Sequence, residues 1–215
     1  MGVITISRKM GSLGSVVGNE VASRLGMKCV NKNFIAEIMK EYGFARFNEI
    51  YDNVPSFWER YNEVRVDTVA FSIKVIEALG HYGNLVIVGR GGFEIFNDYC
   101  DVLNVRLDAP KEIRIGRKMI EYDLTKKEAK KYVEKHDKAR KAFLTDGFHR
   151  DYDDTNDFDL VLNTGYIDTD IAVTAICDAY EGMIENGRNC DSKKLCTLKI
   201  DTVLETLIEQ KVGQL

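Results

Sequence analysis

The feature that most constrains this chain is its N-terminus, where an apolar run leads into a loop of small residues and then into a helical pattern. Val3–Ile6 predicts a buried strand, and the residues from Asn19 to Leu25 predict a helix. The loop between them contains Gly11, Ser12, Leu13, Gly14 and Ser15. Such a loop points its backbone N–H groups inward, and the dipole of the following helix favours negative charge. The sequence therefore predicts a phosphate-binding loop, with an ordinary tight turn as the alternative.

This loop lacks the cation that phosphate-binding loops usually carry. In the motif G-x-x-x-x-G-K-[ST], a lysine contacts the β- and γ-phosphates and a hydroxyl contacts Mg²⁺. No lysine follows the glycines of this loop, the last of which is Gly18. Arg8 and Lys9 precede the loop. Either could supply the missing positive charge, or both could be ordinary surface cations.

Composition narrows the class of protein. Apolar residues make up 45% of the 215 residues, which is ample for the core of one domain, and charged residues of both signs make up 30%. The net charge of -4 argues against general nucleic-acid binding, which needs a basic surface. No apolar stretch approaches the ~20 residues of a membrane-spanning helix, and no secretion signal is recognisable. The scattered cysteines predict reduced thiols and a cytoplasmic protein.

Apolar runs alternate with helical patterns along the chain. Besides the N-terminal run, three more predict buried strands, at Leu85–Val88, Val102–Leu107 and Phe158–Leu162, and Cys29–Val30 is a shorter candidate. Alternating strands and helices favour right-handed crossovers, and therefore an α/β fold with a parallel sheet flanked by helices. Ligands of such sheets bind at the carboxyl ends of the strands, so we expect the loops after these strands to form one site.

Two stretches are too long to be simple crossovers. Residues 31–80 predict an inserted helical lobe, whose small core would include the aromatic residues Phe57, Trp58 and Tyr61, with stacking on a base as the alternative. Residues 120–157 are highly charged and predict a second, mostly helical insertion that starts with a capping box at Thr125 and Glu128. Insertions of this kind often close over a substrate.

The end of the chain predicts a separate extension. A final helix at about residues 168–186 would complete one domain over residues 1–187. Residues 188–215 then predict a short strand at Leu195–Ile200 and a helix at Thr202–Lys211.

Arginines occupy the predicted site loops. Arg90 directly follows a buried strand and is flanked by glycines, where its guanidinium could bind a phosphate through two hydrogen bonds or pair with a carboxylate. Arg114 and Arg117 share one face of a predicted helix, and so do Asp137 and Arg140. For both pairs, a solvated helix face is the alternative to a phosphate site. The histidines show no metal-ligand spacing, so the residues predict no metal site.

Several motifs together resemble the cytidylate kinase-like family of the nucleoside monophosphate kinases. In chain order they are Ile4–Arg8 with the loop Gly11–Gly18, Val86–Gly91, Arg106–Pro110, Asp137-x-x-Arg140 and Phe158–Thr164. The resemblance extends over roughly residues 1–180 and keeps the family's order and spacing. It implies a P-loop NTPase fold with a monophosphate-binding lobe at residues 31–80 and a lid at residues 120–157.

The resemblance also implies residue roles and a reaction. Gly11–Ser15 would hold the phosphates of ATP, and Arg90 would grip the acceptor monophosphate. The residues that would close on the transferring group are Arg114, Arg117, Asp137 and Arg140. The implied reaction moves the γ-phosphoryl group of ATP to cytidylate or a similar small phosphate ester. The family also implies Mg²⁺, whose ligands the sequence does not identify.

Four positions depart from the pattern of standard cytidylate kinases. Gly14 stands where their loop lysine is expected, although the cytidylate kinase-like subgroup shares the lysine-free loop. Val16 stands near the hydroxyl residue expected to contact Mg²⁺, which leaves Ser15 as the closest substitute. Val88 and Asn31 stand where carboxylates are expected. Loss of charge directed at a phosphoryl group can cost orders of magnitude in rate.

These departures leave three hypotheses open. The first is a phosphotransferase that acts on a nucleoside monophosphate or another small phosphate ester. The second is a non-catalytic nucleotide-binding module that has kept the loop and lost the lysine. The third is a structural protein in which residues 188–215 form the arm of a homodimer.

Overall fold

The computed structural model describes residues 2–56, 59–186 and 193–215 and contains a five-stranded parallel sheet. The strands are Val3–Arg8 (β1), Lys28–Val30 (β2), Leu85–Val88 (β3), Val102–Asp108 (β4) and Leu160–Asn163 (β5). Their order in the sheet is β2-β3-β1-β4-β5, and every neighbouring pair is parallel. The predicted α/β fold is confirmed, and so is the short second strand.

Helices connect the strands and extend into the two insertions. In the first half of the described chain they are Gly14–Leu25 (α1), Lys32–Glu41 (α2), Phe47–Asp52 (α3), Glu63–Tyr82 (α4) and Gly92–Ile95 (α5). In the second half they are Lys111–Tyr122 (α6), Lys126–Phe148 (α7), Thr169–Asn186 (α8) and Thr202–Gly213 (α9). Two short 3₁₀ helices lie at Glu59–Tyr61 and Leu195–Thr197.

The sheet separates two apolar cores. One core contains Ile4, Ile6, Val86 and Val88 and is closed by apolar residues of α1 and α8. The other lies on the opposite face and is closed by α2, α4 and α9. Because both faces are covered, β3 is buried at every residue, which explains its continuous apolar sequence.

Two helix starts show how polar side chains fix the insertions. Asn31 caps α2, because its Oδ1 accepts hydrogen bonds from the backbone N–H groups of Asn33 and Phe34. The predicted capping box at α7 is confirmed, since Thr125 Oγ1 accepts from Glu128 N while Glu128 Oε2 accepts from Thr125 N. Asn31 therefore uses its side-chain oxygen to start a helix.

The predicted strand at Leu195–Ile200 is wrong. Leu195–Thr197 is a 3₁₀ helix, and its polar groups pair with side chains instead of a strand. Leu195 N donates to the carboxylate of Asp101 (3.0 Å), and Leu195 O lies 3.3 Å from His81 Nδ1. The apolar residues of this segment pack on α4, so their burial needs no sheet edge.

The terminal helix α9 packs back onto its own chain. Its residues Leu204, Ile208 and Val212 are buried in the core formed with α2 and α4. A dimer arm formed by residues 188–215 stays a prediction, and residues 188–192 lie outside the described part of the chain. The predicted aromatic core of the first insertion also falls outside it, at Phe57, at Trp58 and at the side chain of Tyr61.

Two further expectations concern thiols and membranes. Cys29, Cys177 and Cys196 are free thiols, but Cys100 is disulfide-bonded, so the expectation that all cysteines are reduced is wrong. Across the described residues, no helix combines the length and apolar character that crossing a membrane requires.

Candidate functional site

The carboxyl ends of β1 and β3 open into a cavity of about 400 Å³. Its walls come from the loop after β1, the turn after β3, and the α6–α7 hairpin. The parallel sheet explains this position, because the loops after its strands emerge on one side. Of the residues predicted for the site, those that line the cavity are Arg8, Gly11, Leu13, Gly14, Ser15, Arg90, Arg117 and Arg140. The predicted site residues Ser12, Arg114 and Asp137 are not among its lining residues.

The glycine loop after β1 has the backbone geometry of an anion-binding turn. Gly11 has a φ of 85° and Leu13 a φ of 59°, so both lie in the left-handed region. α1 begins at Gly14 without a side-chain cap, which leaves its first N–H groups available to a ligand. Ser12 Oγ is buried and has no hydrogen-bond partner in the described structure.

Arg114 and Arg117, on α6, bind the loop from behind. Arg114 Nη1 donates to Met10 O (3.0 Å), and Arg114 Nε donates to Ala109 O (2.9 Å). Arg117 Nη1 donates to Gly11 O (3.0 Å), and Arg117 Nη2 donates to Thr164 O (2.6 Å). These two arginines therefore fix the backbone carbonyls of the loop and hold its N–H groups toward the cavity.

Asp137, on α7, ties the second helix of the hairpin to the same loop. Its Oδ1 accepts from Met10 N (2.8 Å), and its Oδ2 accepts from Arg114 Nη1 (2.6 Å). Asp137 Oδ1 lies 3.9 Å from Nη1 of Arg140, which is three residues later in α7. Asp137 therefore pairs mainly with Arg114 and more distantly with Arg140, whose Nη1 also donates to Arg8 O (3.5 Å).

Arg90 is held at the cavity by a strained turn. Gly89, Arg90 and Gly91 have φ values of 84°, 61° and 74°, and the arginine is the residue of the three for which this region is unfavourable. Its guanidinium carbon lies 4.3 Å from the ring centre of Tyr51, and Nε and Nη2 are buried without a hydrogen-bond partner. Burial lowers the pKa of Arg90, although the adjacent Tyr51 and Asp52 oppose this effect.

Arg8, at the end of β1, lies beside Arg90 and Arg140. Desolvation lowers the pKa of Arg8 well below its usual value, and the nearby charges of Arg140, Arg90 and Arg106 lower it further. Within the described residues, no carboxylate lies within ion-pair distance of the Arg8 or Arg90 guanidinium. Arg8 and Arg90 thus bring two positive charges to the cavity with no directly paired carboxylate among the described residues, although Asp52 also lines it.

Lys9 differs from its neighbour Arg8. Its Nζ lies 2.9 Å from Asp108 Oδ2 and 3.3 Å from Asp153 Oδ1. Burial opposes the charged form, but hydrogen bonds and charge from these two carboxylates prevail and raise the pKa of Lys9. Lys9 is therefore already neutralised by the protein.

The described residues offer no built metal site. They contain no group of three or more His, Cys, Asp or Glu side chains that could hold an ion. Val88 is fully buried at the strand end where a carboxylate is expected, and Asp108 is occupied by Lys9 and Ala109 N. Ser15 supplies a hydroxyl at the first turn of α1, but a single hydroxyl is not a protein metal site.

Two tyrosines of the site are missed by the sequence reasoning. Tyr51 stacks on Arg90 from α3, and Tyr152 O–H donates to Arg8 O (3.1 Å) while its ring lies 4.5 Å from the guanidinium carbon of Arg106. Both are nearly buried. A lone aromatic residue inside the acidic segment 151–157 is the signal that could have identified Tyr152.

Comparisons with known proteins agree with this architecture. The model of the cytidylate kinase-like family matches residues 3–166. A cytidylate kinase of Pyrobaculum calidifontis is 28% identical over 170 residues, which cover 78% of this chain and 86% of that protein. A solved structure of an uncharacterized protein from Eubacterium ventriosum has a TM-score of 0.68 at 21% identity, and the match covers 84% of this chain and 99% of that one.

A second solved structure, shikimate kinase from Acinetobacter baumannii in complex with shikimate, has a TM-score of 0.50 at 15% identity. This match covers 88% of this chain and 96% of that one. At such identities the solved structures show the fold alone. The family match, in contrast, spans the glycine loop, the Arg90 turn and the α6–α7 hairpin, which together form the cavity. The chain therefore belongs to the cytidylate kinase-like family.

Proposed function

We propose that this protein transfers the γ-phosphoryl group of ATP to a nucleoside monophosphate or another small phosphate ester. The observation that carries the proposal is that Arg8 and Arg90 lie at one cavity beside the glycine loop without a directly paired carboxylate among the described residues, with Arg140 next to them. A buried charge without a partner is costly, and an anionic ligand would offset that cost. Membership of the cytidylate kinase-like family supports the same class of reaction.

The proposal assigns the two phosphates to different parts of the cavity. The donor phosphates would bind the free N–H groups of the loop and of the first turn of α1, where backbone and dipole both favour anions. The acceptor phosphate would bind Arg90, whose Nε and Nη2 have no partner. Arg114, Arg117 and Asp137 would hold the loop in place for this reaction.

The chemistry asks little of the side chains as acids or bases. An oxygen of the acceptor phosphate attacks the γ-phosphorus, the bond from that phosphorus to the β–γ bridging oxygen breaks, and ADP leaves with the electron pair. Catalysis then consists of alignment and of neutralising charge. The family implies Mg²⁺, for which the described residues form no site of their own, so no step here depends on it.

The test is turnover measured by ³¹P NMR with ATP, Mg²⁺ and one acceptor at a time. The acceptors are CMP, UMP, AMP, GMP and shikimate 3-phosphate as a non-nucleotide ester. We expect ADP to form with at least one acceptor far faster than with ATP alone. In Arg90→Met, acceptor-dependent turnover should fall on the order of 10²–10³-fold, while Arg46→Met, at an exposed surface pair, should leave it unchanged. ATP binding without acceptor-dependent ADP formation would instead favour the non-catalytic module.

A further inference from the structure

The stem of Arg8 occupies the space above Gly14. A Cβ atom built on Gly14 would lie 2.7 Å from Arg8 Cγ and 3.0 Å from Arg8 Cδ. Gly14 is the position at which the loop of standard cytidylate kinases is expected to carry its lysine. The arginine of β1 therefore fills the volume that a side chain at position 14 would need.

The far end of Arg8 occupies the space above Gly89. A Cβ atom at Gly89 would lie 1.7 Å from Arg8 Nη1 and 2.6 Å from Arg8 Cζ. The guanidinium thus rests on the backbone of the residue that precedes Arg90. Two glycines that are far apart in the sequence leave a path for one arginine, from the glycine loop to the Arg90 turn.

We propose that Arg8 replaces the missing loop lysine and directs positive charge at the transferring phosphoryl group from β1 instead of from α1. This inference rests on the proposed phosphotransfer. It explains three observations together: the glycine at position 14, the glycine at position 89, and an arginine at the cavity that no described carboxylate neutralises. An arginine suits this role, since its planar guanidinium can bind two phosphate oxygens at once.

The neighbours of Arg8 separate this role from an ordinary structural one. Structural arginines of this protein, such as Arg114 and Arg117, donate to backbone carbonyls of the loop. The guanidinium of Arg8 has no such acceptor in the described structure, and its backbone carbonyl is instead the acceptor for Tyr152 O–H (3.1 Å). The end of β1 is thus fixed, and the side chain remains available to a ligand.

The test moves the positive charge from Arg8, at the end of β1, to position 14, at the start of α1. Four proteins are compared: wild type, Arg8→Ala, Arg8→Ala/Gly14→Lys, and Arg8→Ala/Gly116→Lys. We expect Arg8→Ala to lower kcat/KM for ATP on the order of 10²–10³-fold. Adding Gly14→Lys should recover at least about tenfold of that loss, because the lysine reaches the same phosphates through the vacated space. Gly116, in α6, has nothing within 4 Å of a built Cβ, so its lysine should recover nothing.

Either of two results would overturn the inference. One is Arg8→Ala with kcat/KM for ATP within about threefold of wild type, which is far less than loss of a phosphate-directed charge costs. The other is equal activity of the Gly14→Lys and Gly116→Lys double variants. Gly14→Lys without Arg8→Ala should not raise kcat/KM for ATP, since the two side chains need the same space. This single variant shows whether the recovery requires removal of the Arg8 side chain.

A second readout keeps this inference distinct from the proposed function. If wild type turns over no acceptor, the phosphotransfer proposal fails. The affinity for ATP, measured by calorimetry, then tests whether Arg8 contacts the phosphates in place of the lysine. Binding at least about tenfold weaker in Arg8→Ala, and restored in the Gly14→Lys double variant but not in the Gly116→Lys one, supports the inference. Equal affinity in all four proteins contradicts it.

Discussion

The arginines behind the glycine loop and those in front of it differ in what they bind. Arg114 and Arg117 donate to carbonyl oxygens of the chain, and Arg114 also pairs with Asp137. Arg8 and Arg90 lie at the cavity with no described carboxylate partner, and Arg90 keeps two unpaired nitrogens. An arginine with protein acceptors therefore stabilises the fold, while a desolvated one without them is a candidate for binding an anion.

Substitution of a paired arginine should give the greatest loss in the free energy of unfolding. Arg114→Ala removes a side chain that is 7% exposed and leaves Asp137, which is 21% exposed, without its main partner. Breaking such a pair should lower the free energy of unfolding by about 3 kcal/mol, measured by urea denaturation. Lys111→Ala, which breaks the exposed pair with Glu134, is the matched control and should cost less than about 1 kcal/mol. Equal losses in the two variants would remove the distinction.

Substitution of the unpaired Arg90 should have the opposite effect on the stability of the ligand-free protein. Arg90→Met keeps an unbranched side chain and removes a buried charge that has no described carboxylate partner, so the ligand-free protein should be as stable as wild type or more stable. An acceptor at 100 times its Kd stabilises wild type by about 2.7 kcal/mol, and this stabilisation should vanish in the variant. Thermal unfolding with and without the acceptor found by ³¹P NMR measures both quantities. A marked loss of stability without ligand would place Arg90 among the structural arginines.

A graded effect should come from Arg117. Arg117→Ala removes the donors to Gly11 O and Thr164 O, but the loop keeps its contacts with Arg114 and Asp137. We expect a loss of about 1–2 kcal/mol in the free energy of unfolding, smaller than for Arg114→Ala. Urea denaturation of both single variants and of the double variant measures it. A loss larger than that of Arg114→Ala would contradict the ranking.

The smallest effect concerns pH and His136, which lines the cavity on α7. Burial lowers the pKa of His136, and the charge of Arg140 lowers it further, while Asp52 opposes them. The folded state therefore prefers neutral His136, so the unfolded chain binds the proton first as the pH falls below about 6.5. Stability is complete above that pH and declines below it. The urea midpoint should fall less from pH 7.5 to pH 5.5 in His136→Gln than in wild type. Equal falls would contradict the assignment of this pH dependence to His136.

The sequence predicts the sheet and the loop well because their causes are local. Leu85–Val88 is continuously apolar since both faces of the sheet are covered, and that signal is visible without any partner. The turn Gly89–Gly91 likewise shows its need for positive φ in its glycines. The strand predicted at Leu195–Ile200 fails because Asp101, far away in the sequence, takes up the N–H of Leu195.

The roles of the arginines cannot be predicted from the sequence, because they too depend on contacts with residues that are far away along the chain. Arg90 follows β3, and Arg114 lies in the helix that follows β4, so both lie at the same end of the sheet, and the sequence predicts a phosphate contact for both. What separates them is the position of Met10 and Asp137, which are 127 residues apart and meet at Arg114. Only the folded chain shows which guanidinium has acceptors and which has none.

The first measurement to make is the protection of the folded state by the proposed phosphoryl donor and acceptor. Thermal unfolding is followed with ATP and Mg²⁺, with the acceptor found by ³¹P NMR, and with both, in wild type and in Arg90→Met. We expect each ligand to raise the unfolding midpoint of wild type, ATP still to protect Arg90→Met, and the acceptor no longer to protect it. The absence of protection by either ligand in wild type would contradict the claim that the unpaired arginines form a phosphate site.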